Sequence, residues 1–450
     1  MKDYAQTAVL TDAYSVEVGK EPDMPRKETV KPQRLMSPPG QMASGFASVL
    51  VFAFPLLMLA VPRGAGVFLI GIVLLLIMSA GSLAELHRQY RHVLLPVWLS
   101  VGAILAVQLV SRYTFGLPWD VLDNPSRVLA IPLVCLVVLR YRPNPMLLWK
   151  GIPPGLLLAL LIVAYQFFID KDSRPGAWTF IIAFANMVAT LGVVGFFRPG
   201  QTHRDHVAAW LCPALAMLVL IMNGSRGAWL ALVLTVVGSI YFRYQKFNLK
   251  VAVISLCSLA LIGTAAWTLP NSPFKERLEQ ARHDIAEFHK GNTDTSLGER
   301  LVIFQLATSA VRQHPLTGVG SGQFGSLTDA LPGCPADEKE ICTLKHAHND
   351  LLDAAATTGL PGLAAFLSLL LVPGFIFWRA WMRTCGRDEI APYLGKAGFG
   401  AVVASLICGF SQVTMAHQAN IAFYASLIGL MLGLLAVRMR AFTQNTQDQP

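Results

Sequence analysis

Charge is what this sequence has least of. Asp, Glu, Lys and Arg supply 14% of its 450 residues, against about 25% in an ordinary soluble domain. That is too little to coat the surface of a soluble protein of this size. The alternating strands of about ten residues that mark a transmembrane β-barrel are missing as well. The seven cysteines show no CxxC or zinc-type spacing. No RNA- or DNA-binding motif accompanies the net charge of +9, so nucleic acid is excluded as a partner. In so apolar a chain the basic excess reads as lysine and arginine of short cytoplasmic loops.

Apolar sequence is what remains, at 54% of the chain. Apolar runs fall at 46–62, 64–82, 93–111, 127–139, 151–169, 177–197, 207–223, 226–242, 249–269, 360–378, 393–413 and 420–437. A bilayer core takes about 20 apolar residues of helix to cross. The pattern predicts an all-α polytopic membrane protein with about twelve transmembrane helices and membrane lipid as its surroundings. The fourth run is short and contains Pro132.

Residues 1–45 are polar and proline-rich and precede any apolar run. They read as a disordered cytoplasmic tail or in part an added leader, since Met36 is itself a possible start. Then come 46–269 as the first nine spans, 270–359 as one large loop, 360–440 as the last three spans and 441–450 as a tail. One set of short loops is basic: Arg88 and Arg91; Arg140, Arg142 and Lys150; Arg198 and Arg204; Arg243, Lys246 and Lys250; Arg379, Arg383 and Arg387. The alternate set holds only Arg63, Arg112, Lys171, Arg174 and Arg226. Short basic loops stay inside. That puts both termini in the cytoplasm and the 270–359 loop outside, in the periplasm of a bacterium.

Within that loop, Pro273–Lys290 reads as a polar amphipathic helix and Glu299–Gln313 as a second, more apolar one. His314-Pro315 ends the second, because proline disfavours helix in the residue before it. Gly318, Gly320, Gly322 and Gly325 follow as a turn region that lacks the context of a phosphate loop.

The polar residues that could carry chemistry gather at the loop's edges. Arg226 opens an apolar run directly after the turn Asn223-Gly224-Ser225. A helix N-terminus presents free N–H groups to an anion, so Arg226 beside them makes a phosphate seat. The alternative is an arginine reaching to lipid headgroups. Arg300 stands at the start of the second loop helix. Alone it reads as solvated and paired with Glu299 or Glu276; together with Arg226 it could grip a pyrophosphate through its planar fork.

The densest group is His346-Ala347-His348-Asn349-Asp350. Asn349 or Asp350 suits a helix N-cap before Leu351-Leu352. Such a cap pins His348 at a helix start, a fitting place for a base that works near neutral pH. A metal site would need further ligands, and only Cys334, Cys342 and Asp350 are near; the reading taken is no metal and no cofactor. Cys334 and Cys342, alone among the cysteines in sharing the loop, suit a disulfide in an oxidising compartment. Asp353 and the pair Asp170 and Asp172 have no evident partner and read as solvated.

With these residues assembled, the chain resembles the O-antigen ligases, or lipopolysaccharide ligases. Their membrane domain is shared with O-antigen polymerases and some protein O-oligosaccharyltransferases. His348-Asn349, nine residues, then Gly359-Leu360-Pro361-Gly362 is similar to the ligases' H-N-x9-G-x-x-G pattern. Ser225-Arg226-Gly227-Ala228-Trp229 and Gly298-Glu299-Arg300 resemble two further arginine blocks, and His314-Pro315, Gly318, Gly320 and Phe324 the turn between them.

The resemblance implies a glycan on undecaprenyl pyrophosphate as donor and a lipid A-core sugar hydroxyl as acceptor. It implies a Gram-negative inner membrane with the site facing the periplasm, and metal-independent, inverting glycosyl transfer. His348 would be the catalytic base, Arg226 and Arg300 the pyrophosphate ligands, and His346, Asn349 and Asp350 their support. A polymerase or protein O-oligosaccharyltransferase differs in acceptor. A secondary transporter, the alternative of another class, should carry ionisable groups at mid-bilayer, and these spans are nearly free of charge.

Overall fold

The computed structural model describes residues 38–200, 202–244, 279, 282–287, 290, 295–334 and 340–447. Every expected span within these residues lies on a helix, and among them there is no strand. The ninth run, 249–269, lies outside the described residues. So does most of the expected loop helix Pro273–Lys290, of which 282–287 are helical. Among the described residues, eight helices are long and apolar enough to cross a membrane. A bent pair, Gly64–Met78 with Ala80–Gln89, makes a ninth when counted as one span.

Local chemistry explains where the helices depart from expectation. The second run was expected to be continuous over 64–82, but it turns by 65° after Met78. The Ser79 hydroxyl donates to the Leu75 carbonyl at 2.9 Å, offering that carbonyl a side-chain donor where the helix ends. Pro132 is accommodated because it falls in the first turn of helix Ala130–Tyr141, where its missing N–H costs little. The tenth span belongs to a longer helix, Asp350–Thr384, broken at Gly359.

Helix Gln418–Gln447 is the central post. Its apolar window is 94% buried, as expected of a helix that is hydrophobic all round. Helices Ala130–Tyr141 and Ala391–Ser411 pack against it. Outer helices such as Arg91–Phe115 and Met146–Phe168 instead leave Leu99 and Leu161 exposed, which suits side chains facing lipid rather than water.

The connections sort to two ends. At one end the buried Arg243 donates to the Phe196 carbonyl and, at 3.2 Å, to the Arg198 carbonyl. At that end too the Arg440 guanidinium lies 5.6 Å from the Tyr90 ring, between Arg88 and Arg91. At the other end Asn223 donates to the Pro175 carbonyl at 2.7 Å, Phe180 stacks on His417, and Asn124 donates to the Ala416 carbonyl at 2.9 Å. The basic loops thus share one end, as their alternation along the chain predicts. The long loop belongs to the opposite end.

Candidate active site

The loop folds back onto the bundle, and Gly359 is the reason it can. Its φ of 72° lies in the left-handed region, and a Cβ there would sit 2.8 Å from the Pro315 carbonyl oxygen. Only glycine meets both demands. The break turns the Leu360 N–H out of the helix to the Pro315 carbonyl at 2.7 Å. It also frees the Ala356 and Thr357 carbonyls, which accept from Val319 and Gly320 at 2.9 Å each. The Gly-Leu-Pro-Gly block is therefore a clamp on the turn 315–320.

Helix Ser296–Gln313 leads into that clamp. Thr295 caps it by accepting from the Gly298 N–H at 3.1 Å. Ile303, Ala307 and Ala310 pack in one core with Phe324, Ala347 and Ala356. The helix therefore runs antiparallel to the first turns of helix Asp350–Thr384. Its C-terminal end meets Gly359 and its N-terminal end meets Ala347. Arg300, one turn before Ile303, is exposed at the end where His346–Asp350 stand.

The turn His346–Asp350 is held from several sides. Asn349 is the N-cap, its carbonyl oxygen accepting from Leu351 and Leu352 at 2.9 and 3.0 Å. Its amide donates to the Phe410 carbonyl at 3.1 Å, satisfying a carbonyl at the C-terminal end of helix Ala391–Ser411. Asp350 is buried and accepts from the Thr414 hydroxyl at 2.6 Å and from the Thr414 and Met415 N–H groups at 2.8 and 3.1 Å. It pins the link 412–417 that follows that helix.

Asp353, expected to be solvated, is largely buried and accepts from the Ala347 N–H at 2.9 Å. One turn into a capped helix, its carboxylate points back to the turn that precedes the cap. The His346 ring nitrogen stands 4.0 Å from the same carboxylate. Asp172 likewise has a partner, accepting from the Arg174 N–H at 2.9 Å in a local turn.

His348 sits at the centre with φ 50°. A non-glycine residue in the left-handed region is strained, and such strain persists where surrounding bonds over-determine it. Its Nδ1 is 2.9 Å from Gln412 Oε1. An amide oxygen only accepts, so Nδ1 carries the proton and Nε2 the lone pair.

Arg226 reaches the same place by another route. Asn223, fully buried, fixes the turn before it. The Trp229 indole donates to the Leu220 carbonyl at 2.7 Å and ties the new helix to the end of the previous one. A Cβ at Gly227 would stand 2.2 Å from Ser411 Oγ. The absence of that carbon lets the Arg226 helix begin hard against the end of helix Ala391–Ser411. Arg226 itself is exposed. One helix terminus, Phe410–Gln412, thus carries both Gly227 beside Arg226 and His348 with Asn349.

Gln412, Thr414 and His417 are members of this assembly that sequence reasoning missed. His417 stacks on Phe180, ring centroids 4.3 Å apart. Burial, and then the charge of nearby His346, hold its imidazole below the usual histidine range. Cys334 and Cys342 are joined in a disulfide, Cα to Cα 5.5 Å. Among the described residues no group of three or more His, Cys, Asp or Glu side chains is placed to hold a metal ion.

Fold and site together define a polytopic helical membrane protein whose polar loop is clamped over helix ends beside arginine and histidine. Residues 211–367 match the family described as O-antigen ligase. The chain therefore carries an O-antigen ligase family domain, and with it belongs among membrane glycosyltransferases of ligase or polymerase type. It is 27% identical to an uncharacterized protein of Haemophilus influenzae over 313 residues, 68% of this chain and 77% of that one. It is 22% identical to an O-antigen ligase of Escherichia coli over 220 residues. That match takes in 47% of this chain and 52% of the relative, about half of each.

Proposed function

We propose that the protein is an O-antigen ligase that moves a glycan from undecaprenyl pyrophosphate to a sugar hydroxyl of lipid A-core, at the periplasmic face of the inner membrane. The observation that supports it most is the shared helix terminus. Arg226 and His348 arrive from segments far apart in sequence and meet at Phe410–Gln412.

In this reading His348 Nε2 takes the proton of the acceptor hydroxyl. The freed oxygen forms a bond to the anomeric carbon of the first donor sugar. The bond from that carbon to the phosphate oxygen breaks on the opposite face, so configuration inverts. The electron pair leaves with the pyrophosphate, whose growing negative charge Arg226 and Arg300 bind. Each guanidinium presents two parallel N–H donors to phosphate oxygens, which lets the arginines do the work of a divalent cation. Gln412 keeps the imidazole in the tautomer the step needs. His346, Asn349 and Asp350 hold the turn in place.

The test is transfer between purified undecaprenyl-pyrophosphate glycan and purified lipid A-core, with and without EDTA. Transfer unaffected by the chelator is the expected result. Transfer lost in EDTA and restored by Mg²⁺, Mn²⁺ or Zn²⁺ would overturn the role given to the arginines. Product in which glycan repeats are joined to each other, with bare core left over, would make the protein a polymerase instead.

A further inference from the structure

A cavity of about 360 Å³ opens on the other side of the His346–Asp350 turn. That is within the range of small-ligand sites, about 300–1,000 Å³. Neither Arg226 nor Arg300 lines it. His346 and Asp350 do, and His348 stands between them in sequence, so the turn is the wall common to cavity and catalytic centre.

The cavity is two-sided in its chemistry. Its apolar wall is Phe366 and Leu369 of the kinked helix with Ile421 of the central post. Its polar groups include Asp120, Gln108 and Asp353. Lys345, which also lines it, is already engaged by Asp329 at 3.2 Å. Carboxylates repel a pyrophosphate, so the donor's charged group belongs with the arginines across the turn. A neutral sugar suits this lining, because carboxylates accept from hydroxyls and an amide both donates and accepts. Its C–H face can lie on the apolar wall.

We propose that this cavity is the acceptor subsite, taking the terminal neutral sugar of the glycolipid acceptor with its hydroxyls toward Asp120, Gln108 and Asp353. The inference rests on the ligase reading above and adds where the acceptor sits. Donor and acceptor then approach His348 from opposite sides of one turn. That is the geometry an inverting displacement uses.

The experiment uses the full chain in lipid nanodiscs with two probes, purified lipid A-core and undecaprenyl pyrophosphate, titrated separately. Val121→Trp fills the cavity from its outer wall, and Asp120→Ala removes an exposed polar group whose loss leaves the packed interior intact. Val121→Trp should raise the Kd for lipid A-core about tenfold or more, and Asp120→Ala about threefold. Both should leave undecaprenyl pyrophosphate binding unchanged. Unaltered lipid A-core binding in the folded variants overturns the inference. Weakened undecaprenyl pyrophosphate binding instead makes the cavity a site for the lipid carrier, and the functional reading survives. A wild-type protein that binds neither lipid sinks both.

Discussion

The two ends of the bundle hold their polar residues by different means. At the basic end charges are met by opposite charges or by backbone carbonyls. Arg198 pairs with Asp205 at 3.2 Å, Arg438 with Asp388 at 3.0 Å, and buried Arg243 caps carbonyls. At the site end most of these bonds cross between elements far apart in sequence, and most involve neutral groups: His348 with Gln412, Asn349 with Phe410, Asp350 with Thr414 and Met415. Arg226 and Arg300 stay exposed there. The first end is built to neutralise charge. The second fixes a geometry and keeps cations at the surface, as a site for an anionic leaving group requires.

Removing arginines from each end breaks that comparison most sharply. Arg226→Ala or Arg300→Ala should cut transfer by about 10²–10³-fold, the usual cost of losing one group that stabilises developing charge. Both should also weaken binding of undecaprenyl pyrophosphate, with lysine restoring only part, since a point charge lacks the fork. Arg438→Ala at the other end should leave transfer within about twofold, because exposed and half-exposed pairs contribute little. Equal losses at the two ends, in the purified assay at matched protein, would erase the distinction.

Asp350→Asn should come next. An amide keeps one acceptor and turns a donor toward the Thr414 and Met415 N–H groups. Leaving a buried donor unmet costs about 1–3 kcal/mol. A lowered melting temperature with reduced transfer is expected. Unchanged melting would mean the 412–417 link is not held by this carboxylate.

How much of this was legible beforehand follows from how local each signal is. The spans were readable because apolar run length maps directly onto bilayer thickness, and the bend at Ser79 was not, because one serine leaves no mark on hydropathy. The Asn349 cap was legible because its donors lie two and three residues on. Gln412 and Thr414 were not. They are 64 residues from their partners, in a six-residue link with no periodicity to read. Asp353 was misjudged because which face of its helix is buried depends on the loop packing above it. The left-handed φ at His348 has no sequence mark at all, since histidine is not a residue that asks for it.

Gln412→Glu sharpens the comparison by putting charge where the site end has none. A carboxylate beside His348 favours the imidazolium and raises its pKa. A base works only while neutral, so the acid limb of the pH–rate profile should move to higher pH. Gln412→Ala should lower the rate without that upward move. A profile identical to wild type in Gln412→Glu would remove Gln412 from the mechanism.

The smallest effect is expected at His417. Its folded pKa is depressed, so below the unfolded value near 6.5 the unfolded chain binds more protons than the folded one. Stability should therefore rise with pH through that window and be lost as pH falls. His417→Phe keeps a ring against Phe180 and should flatten that rise in melts taken from pH 5 to 8.

His348→Ala, assayed in nanodiscs for both transfer and donor binding, tests the central claim most directly. A base acting in the transition state contributes about 10²–10⁴-fold to rate and little to ground-state binding. The account expects transfer to fall by that much while undecaprenyl pyrophosphate binds as it does to the wild type. Wild-type transfer by His348→Ala at matched protein would contradict it.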